Sequence, residues 1–279
     1  MRILITDSGV GGVSVVAYAE RFVREQGFTE PVQLIFANAA PANDYGYNSM
    51  PDHEAKIETF DRFLRNVTER YAPDRIYVAC NTLSVLLPDV HPTVPIKGII
   101  ETGVTLLFDS LHKDPSSIAM IFATQTTIDS GAYPRHLQER GIEASRIISQ
   151  ACPGLADTIS EDREGTKARA EIEKWVGIAM DKMPSPGLPI VACLACTHYG
   201  YRKDLFTAAL GSATVINPNE SAVGDLFDRT GASHEAGVEF VTRYALPETT
   251  IETLTWLLRD ISPRTVAAMQ HFEHIPDLF

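Results

Sequence analysis

The chain has 279 residues, a length that suits one large domain or two domains of ordinary size. Hydrophobic residues make up 44% of the sequence and charged residues 22%, which is typical of a folded globular protein and excludes extensive disorder. The formal net charge is −12 and the acidic residues are spread along the chain, so no basic stripe is present to bind nucleic-acid phosphates. No apolar run approaches the ~20 residues that cross a bilayer, and the first residues resemble a strand rather than a leader peptide. We therefore expect a cytoplasmic protein that binds neither nucleic acid nor membrane.

Short apolar segments alternate with amphipathic segments along the whole chain. The predicted strands are, in chain order, Ile3–Thr6, Val32–Ala37, Ile76–Ala79, Ile96–Ile100, Ser117–Ala123, Arg146–Ser149, Ile190–Leu194, Ala213–Ile216 and Val238–Thr242. The clearest predicted helices between them are Gly12–Glu25, His53–Tyr71, Ala132–Arg140 and Arg163–Met183. This alternation predicts an α/β fold built from βαβ units, with mainly parallel sheets and helices on both faces. Most of the predicted strands are apolar at consecutive positions, as strands buried on both faces are.

An apolar strand that ends in Ala-Cys occurs twice. The segments Ile76–Thr82 and Ile190–His198 both run from a predicted strand through a cysteine into small polar residues. The cysteines, Cys80 and Cys196, are 196 − 80 = 116 residues apart, about the length of one small α/β domain. Because ligands bind at the carboxyl ends of parallel strands, both thiols are candidates for one ligand site. Two buried strands that merely end in cysteine, a common core residue, are the alternative, and the repeat alone leaves both open.

The surroundings of these two cysteines suit proton transfer. A thiol between a strand and the start of a helix has its thiolate favoured by the helix dipole and by nearby donors. We expect its pKa to fall from about 8.5 toward neutral pH, which suits a group that removes and returns protons. Asn81 and Thr82 would donate hydrogen bonds to a carboxylate, and His198 would orient Cys196 or share its proton.

The sequence also contains a C-x-x-C motif, Cys193 to Cys196, which is found in redox and zinc sites. A zinc site needs further ligands, and the candidates are only His198 and the distant Cys80 and Cys152. A thioredoxin-like site is disfavoured because the motif follows its strand without that fold's context. We therefore interpret the thiols one at a time.

A glycine-rich run, Asp7–Gly12, follows the first predicted strand. Such a run can be a nucleotide-binding loop, but this one lacks the Lys-Ser/Thr of a P-loop and the G-x-G-x-x-G spacing of a dinucleotide site. A nucleotide-binding α/β protein is therefore disfavoured. The alternative is that Asp7 and Ser8 themselves point into a cleft, with the glycines allowing a tight turn.

Four ordered motifs, taken together, resemble those of glutamate racemases, in the aspartate/glutamate racemase superfamily. They are Asp7–Gly12, Ala79–Thr82, Thr124–Tyr133 and Cys196–Tyr199. The resemblance covers essentially the whole chain. It implies two similar three-layer α/β domains related by a pseudo-twofold axis, with the active site in the cleft between them. We place the first domain at 1–98 plus 213–279 and the second at 99–212, with an uncertainty of several residues.

The resemblance also implies a reaction without cofactor or metal, in which two thiols exchange the α-proton of glutamate. Cys80 is expected to act on one face of the α-carbon with the help of Asp7, and Cys196 on the other with the help of His198. Glu161 is a weaker candidate for the carboxylate that pairs with this histidine, because the family register falls on Ser160. The residues expected to hold the amino and carboxylate groups are Ser8, Tyr45, Gly46, Asn81, Thr82, Thr124, Thr127 and Thr197. The product D-glutamate implies supply to peptidoglycan, and assembly as a homodimer stays open.

Four positions depart from the family pattern. Asn38 stands where the family usually has Asp, Asp44 where it has Pro, Leu83 where it has a small residue and Gly200 where it has Pro. These changes leave open a racemase of another amino acid, such as aspartate, or a non-catalytic amino-acid-binding protein on the same scaffold. A decarboxylase or isomerase of the superfamily is disfavoured because it would not need both thiols.

Overall fold

The computed structural model describes residues 1–278 as an α/β protein with ten strands and thirteen α-helices. The strands are β1 (Arg2–Asp7), β2 (Val32–Asn38), β3 (Arg75–Val78), β4 (Ile96–Gly98), β5 (Ile118–Ala123), β6 (Ile147–Ala151), β7 (Ile190–Ala195), β8 (Thr214–Ile216), β9 (Ala236–Thr242) and β10 (Glu273–His274). The helices are α1 (Val13–Gln26), α2 (His53–Tyr71), α3 (Asn81–Ser84), α4 (Ile99–Lys113), α5 (Gln125–Asp129), α6 (Ala132–Glu139), α7 (Leu155–Glu161), α8 (Thr166–Met180), α9 (Lys203–Leu210), α10 (Pro218–Ser221), α11 (Val223–Leu226), α12 (Glu248–Leu258) and α13 (Pro263–Gln270). Among the described residues no helix is long and apolar enough to span a membrane.

The strands form two sheets. The first has six strands in the order β10-β9-β2-β1-β3-β4, and the second has four in the order β6-β5-β7-β8. Every pairing within them is parallel. The predicted α/β fold with mainly parallel sheets is therefore confirmed.

Helices cover both faces of each sheet, which explains the consecutive apolar positions of the strands. In β1, Ile3 and Ile5 pack on one face against α1, whereas Leu4 packs on the other face with Phe60 of α2. The second sheet likewise has a separate apolar cluster on each face, because side chains alternate across a strand.

The predicted strands all occur, but some predicted ends are wrong. The strand predicted at Ile96–Ile100 ends at Gly98, because Ile99 and Ile100 begin α4. Ile99 packs in an apolar cluster of the first sheet and Ile100 in one of the second. The predicted helix Arg163–Met183 begins at Thr166, after Gly165 turns with φ of +78°. Strand β10 was not predicted, since two polar residues carry no strand signal and are ordered only by pairing with β9.

The chain passes from the first sheet to the second at 98–99 and returns after β8. Helix α4 packs against β5 and β7, and β8 pairs with β7, so both belong with the second sheet. The sequence analysis has the chain return to the first domain at residue 213. That position falls just before β8, which lies in the second sheet. The division into two domains related by a pseudo-twofold axis stays a prediction.

Candidate active site

The carboxyl ends of the two sheets face one cleft of about 360 Å³. Asp7 ends β1 and Cys80 follows β3 on the side of the first sheet, whereas Thr124 follows β5 and Cys196 follows β7 on the side of the second. Parallel strands bring their carboxyl ends to the same edge, which is where α/β sheets bind ligands. The fold thus brings both predicted thiols to one cavity.

Cys80 is almost fully buried in the cleft wall, with 4% of its surface exposed. Its Sγ lies 3.1 Å from Oγ of Ser8, within hydrogen-bond distance. Burial and the negative charge of Asp7 together raise the pKa of Cys80 to about 12, and hydrogen bonds from Ser8 and Leu83 oppose the rise. The expectation of a lowered thiol pKa is therefore wrong for Cys80, because loss of water outweighs the nearby donors.

Asp7 is buried beside Cys80. Its Oδ2 accepts a hydrogen bond of 2.7 Å from Oγ1 of Thr197, the residue after Cys196. Burial raises the pKa of Asp7 from 3.8 to about 6, against the hydrogen bonds from Thr197, Gly12 and Cys80 that lower it. Asp7 is therefore mostly ionised at neutral pH while remaining a better proton acceptor than an exposed aspartate.

Cys196 has the same character on the opposite side of the cleft. It is 6% exposed, and its Sγ lies 3.9 Å from Nδ1 of His198. Burial raises the pKa of Cys196 well above its ordinary value, and the charges of Cys80 and Asp7 add to the rise. Burial lowers the pKa of His198 to about 4, so its imidazole is neutral near pH 7 and has a free nitrogen to accept a proton.

The glycine-rich run brings the two sides into contact. A Cβ on Gly11 would lie 2.2 Å from Oγ1 of Thr197 and 2.6 Å from Nδ1 of His198. Only glycine permits this approach, because no real Cβ tolerates such distances. The run therefore places the loop after β1 against the loop after β7.

The threonines of both sides form a hydrogen-bonded row. Oγ1 of Thr82 lies 2.9 Å from Oγ1 of Thr124, and Oγ1 of Thr124 lies 3.1 Å from that of Thr127. Thr82 and Thr124 line the cleft together with Asn81, whereas Thr127 is buried behind Thr124 and does not line it. Thr127 thus supports the wall, and its predicted contact with substrate stays untested.

Of the two predicted residues in the loop after β2, Gly46 lines the cleft and Tyr45 does not. The side chain of Tyr45 is 43% exposed, and it is Tyr47 that lines the cleft, with 1% exposed. The hydroxyl of Tyr47 is buried without a hydrogen-bond partner among the described residues. Sequence reasoning missed Tyr47, and its only signal was the closely spaced pair of tyrosines.

The C-terminal region supplies a further part of the wall that was not predicted. Tyr244, Leu246 and Thr250, which lie after β9, all line the cleft. Asn38 is buried beneath them, where its Nδ2 donates to the hydroxyl of Tyr244 at 3.1 Å and its Oδ1 accepts from the backbone N–H of Ala40 at 3.0 Å. None of the four motifs includes this region, so its place in the wall was not predicted.

Helix α7 contributes acidic residues to the mouth of the cleft. Ser160 and Glu161 both line it, but in the described chain no hydrogen bond or ion pair joins either to His198. The pairing of Glu161 with this histidine stays a prediction. Including Asp44 and Asp157, the lining contains four carboxylates and, within residues 1–278, neither lysine nor arginine.

The C-x-x-C motif does not form a shared site. Cys193 lies in the apolar cluster on one face of the second sheet, whereas Cys196 lies in the cluster on the other face. Positions three apart on a strand point to opposite sides. In the part of the chain that the structure describes, no group of histidine, cysteine or acidic side chains is arranged to hold a metal ion.

Comparisons with known proteins find relatives and structural neighbours of this chain, although no family model matches it. A curated glutamate racemase of Aquifex pyrophilus is 28% identical over 227 residues, which cover 79% of this chain and 80% of that protein. The crystal structure of glutamate racemase from Campylobacter jejuni has a TM-score of 0.69 at 23% identity, covering 92% of this chain and 98% of that one. Glutamate racemase of Francisella tularensis, in complex with D-glutamate, has a TM-score of 0.68 at 19% identity, covering 92% and 93% of the two chains. The resemblance to glutamate racemases is confirmed, and so is the α/β fold with two parallel sheets.

Proposed function

We propose that this chain is a glutamate racemase that interconverts L- and D-glutamate through two thiols and without a cofactor. One observation carries the proposal: Cys80 and Cys196 come from different sheets and line the same cleft, each beside its own proton acceptor. A site that only bound an amino acid would need neither thiol. The choice of glutamate as the proposed substrate rests on the relatives that are named glutamate racemase.

The proposed mechanism begins from two protonated thiols, because burial raises the pKa of both. The thiol on one side passes its proton to its neighbour, which is Asp7 for Cys80 and His198 for Cys196. The resulting thiolate removes the α-proton of glutamate, and the opposite thiol donates its own proton to the other face of the α-carbon. No electrons are transferred, and the stereocentre is inverted.

Neutral donors stabilise the charge that develops when the α-proton leaves. The negative charge spreads onto the α-carboxylate, and fixed hydrogen-bond donors in a water-poor cleft favour it. Ser8, Asn81, Thr82, Thr124 and Thr197 all line the cleft and are the donors proposed for the substrate. The substrate ammonium group, held near Asp7, favours thiolate formation because an opposite charge favours the ionised form.

The direct test is circular dichroism of L-glutamate incubated with the purified protein and no added cofactor. We expect the signal to decay to zero, and D-glutamate to give the mirror-image decay to the same end point. In deuterated water, deuterium should enter the α-position of the product. An unchanged signal together with absence of α-deuterium would overturn the proposal.

A racemase of another amino acid, such as aspartate, is the second candidate. The observation that favours another substrate is Asp44, which lines the cleft where the family has proline. Its negative charge disfavours a side-chain carboxylate, so the alternative includes amino acids without one. Dichroism with L-aspartate in parallel separates the two, since loss with aspartate alone would keep the two-thiol reaction and change the substrate. A non-catalytic amino-acid-binding protein would bind glutamate in calorimetry while leaving both signals unchanged.

The biological role follows from the product. We propose that the enzyme acts in the cytoplasm, where it supplies D-glutamate to peptidoglycan synthesis, and that it assembles as a homodimer. Depletion of the protein in its host should deplete D-glutamate, and added D-glutamate should restore growth. Growth that is unaffected by depletion, with normal D-glutamate, would contradict this role.

A further inference from the structure

The side-chain amide of Asn81 is paired at one end only. Asn81 follows Cys80, lines the cleft and is 2% exposed. Its Oδ1 accepts a hydrogen bond of 2.8 Å from the hydroxyl of Tyr133, whereas its Nδ2 is buried with no partner among the described residues. Buried donors are rarely left unpaired, so an unpaired one in a cleft wall points to a ligand.

The hydroxyl of Tyr133 reaches Asn81 from the other side of the cleft. Tyr133 belongs to α6, is 1% exposed and packs in an apolar cluster of the second sheet. A Cβ on Gly103 would lie 2.3 Å from its hydroxyl, so only glycine in α4 leaves room for it to pass. Cys193 also hydrogen-bonds with Tyr133, which lowers the pKa of this thiol although burial raises it overall to about 12.

We propose that Tyr133 is a positioning residue whose hydroxyl fixes the rotation of the Asn81 amide, so that Nδ2 is left to donate to a carboxylate oxygen of the substrate. The proposal rests on the proposed function, since it requires an acidic amino acid in the cleft. A carboxylate only accepts hydrogen bonds, and an amide turned by 180° would face it with another acceptor. The hydroxyl of Tyr133 donates to Oδ1, and Nδ2 is the end of the amide that remains.

This role also gives a function to residues of two sequence motifs that the proposed mechanism does not use. Cys193 of the C-x-x-C hydrogen-bonds with Tyr133. The motif Thr124–Tyr133 reaches across the cleft twice, through Thr124 to Thr82 and through Tyr133 to Asn81. Both bonds hold the two residues that directly follow Cys80.

The test is Tyr133→Phe, which removes one oxygen and keeps the ring. Its affinity for L- and D-glutamate is measured by isothermal titration calorimetry, and KM and kcat by circular dichroism. We expect affinity for both enantiomers to fall about 2- to 12-fold, the range of one neutral hydrogen bond, with KM rising by the same factor and kcat changing less. Gly103→Ala, which displaces the hydroxyl without removing it, should weaken binding similarly.

Tyr77→Phe is the matched control. Its hydroxyl is also buried and lies 3.3 Å from both Oγ1 of Thr102 and Oδ2 of Asp225, but Tyr77 does not line the cleft. We expect this variant to lose stability and keep the wild-type affinity for glutamate. Equal losses of affinity in Tyr77→Phe and Tyr133→Phe would indicate a general structural effect and overturn the proposal.

A double-mutant cycle shows whether Tyr133 acts through Asn81. In an Asn81→Ala background, Tyr133→Phe should have no further effect on affinity, because the group it orients is gone. If Tyr133→Phe lowers the affinity for glutamate equally in both backgrounds, or not at all in the wild-type background, the role of Tyr133 is overturned and the proposed function is not. A wild-type protein that neither binds nor racemises glutamate would instead overturn the proposed function.

Discussion

Oδ2 of Asp7 accepts a 2.7 Å hydrogen bond from Oγ1 of Thr197, and this contact joins the surroundings of the two thiols. Asp7 neighbours Cys80 on the first sheet, whereas Thr197 directly follows Cys196 on the second. The carboxylate that assists one thiol is thus held by the loop that carries the other. Movement of the two sheets apart would break this contact and change the basicity of Asp7, so we expect closure of the cleft and proton transfer to be coupled.

Burial of Asp7 should cost stability, and Asp7→Asn should recover it. The pKa of Asp7 is raised from 3.8 to about 6 in the folded protein, so its contribution to folding is complete below about pH 4 and is lost as pH rises through about 6. We expect Asp7→Asn to be more stable than wild type by about 3 kcal/mol near pH 8 and by little near pH 4. Urea unfolding at several pH values measures this, and a difference independent of pH would contradict it.

The same ionisation should control the acid limb of the activity profile. Below about pH 6 Asp7 becomes protonated and can no longer accept the proton of Cys80, whereas His198 stays neutral down to about pH 4. We expect kcat/KM to fall below about pH 6 with the slope of one proton. His198→Asn should lower activity without moving this limb. A limb that shifts in His198→Asn would assign it to the histidine instead.

The sheets were predictable because their strands are buried on both faces and therefore read as continuous apolar runs. β5 has six buried residues in succession, and it was recognised with one residue of error at its start. β10 could not be predicted, since Glu273 and His274 form a strand only where β9 provides a partner. Local sequence indicates strands that carry their own burial pattern and misses those that tertiary pairing creates.

The sequence led to the two thiols that the fold brings to one cleft, but not to their electrostatics. Motif order identified both thiols and their neighbours, but helix starts suggested lowered thiol pKa values while burial raises them. The balance between a nearby donor and lost water depends on depth in the fold, which no local pattern records. For the same reason, nothing in the sequence distinguished Tyr45, which is exposed, from Tyr47, which faces the cleft.

Each thiol should be essential for racemisation and dispensable for exchange on its own side. Cys80→Ser and Cys196→Ser should each reduce racemisation by about 1000-fold, within the range of general acid–base catalysis. Each should still exchange the α-proton of one enantiomer with deuterated water, and the two variants should act on opposite enantiomers. Cys152→Ser is the control, because this buried cysteine does not line the cleft. Full racemisation by either single variant would contradict the two-thiol mechanism.

The two tyrosines of the loop after β2 should respond differently to loss of their hydroxyls. The hydroxyl of Tyr47 is buried and has no partner within residues 1–278, so Tyr47→Phe should stabilise the protein by about 1 kcal/mol, the cost of an unpaired buried polar group. Tyr45 is 43% exposed, and Tyr45→Phe should change stability by less than about 0.5 kcal/mol. Thermal unfolding without ligand compares them. A raised KM for glutamate in Tyr45→Phe alone would restore Tyr45 as the residue that contacts substrate.

Asp44 should weaken the binding of glutamate through its charge. It is exposed at the mouth of a cleft whose described lining contains no lysine or arginine, and it repels a ligand that carries two carboxylates. Asp44→Asn should lower KM for glutamate about two- to fivefold, the effect of one charge near solvent, and this gain should shrink at high ionic strength as the charge is screened. Asp260→Asn, which removes an exposed charge outside the cleft, is the matched control. Equal effects of the two substitutions, or a gain insensitive to salt, would show that Asp44 does not act on the substrate by charge.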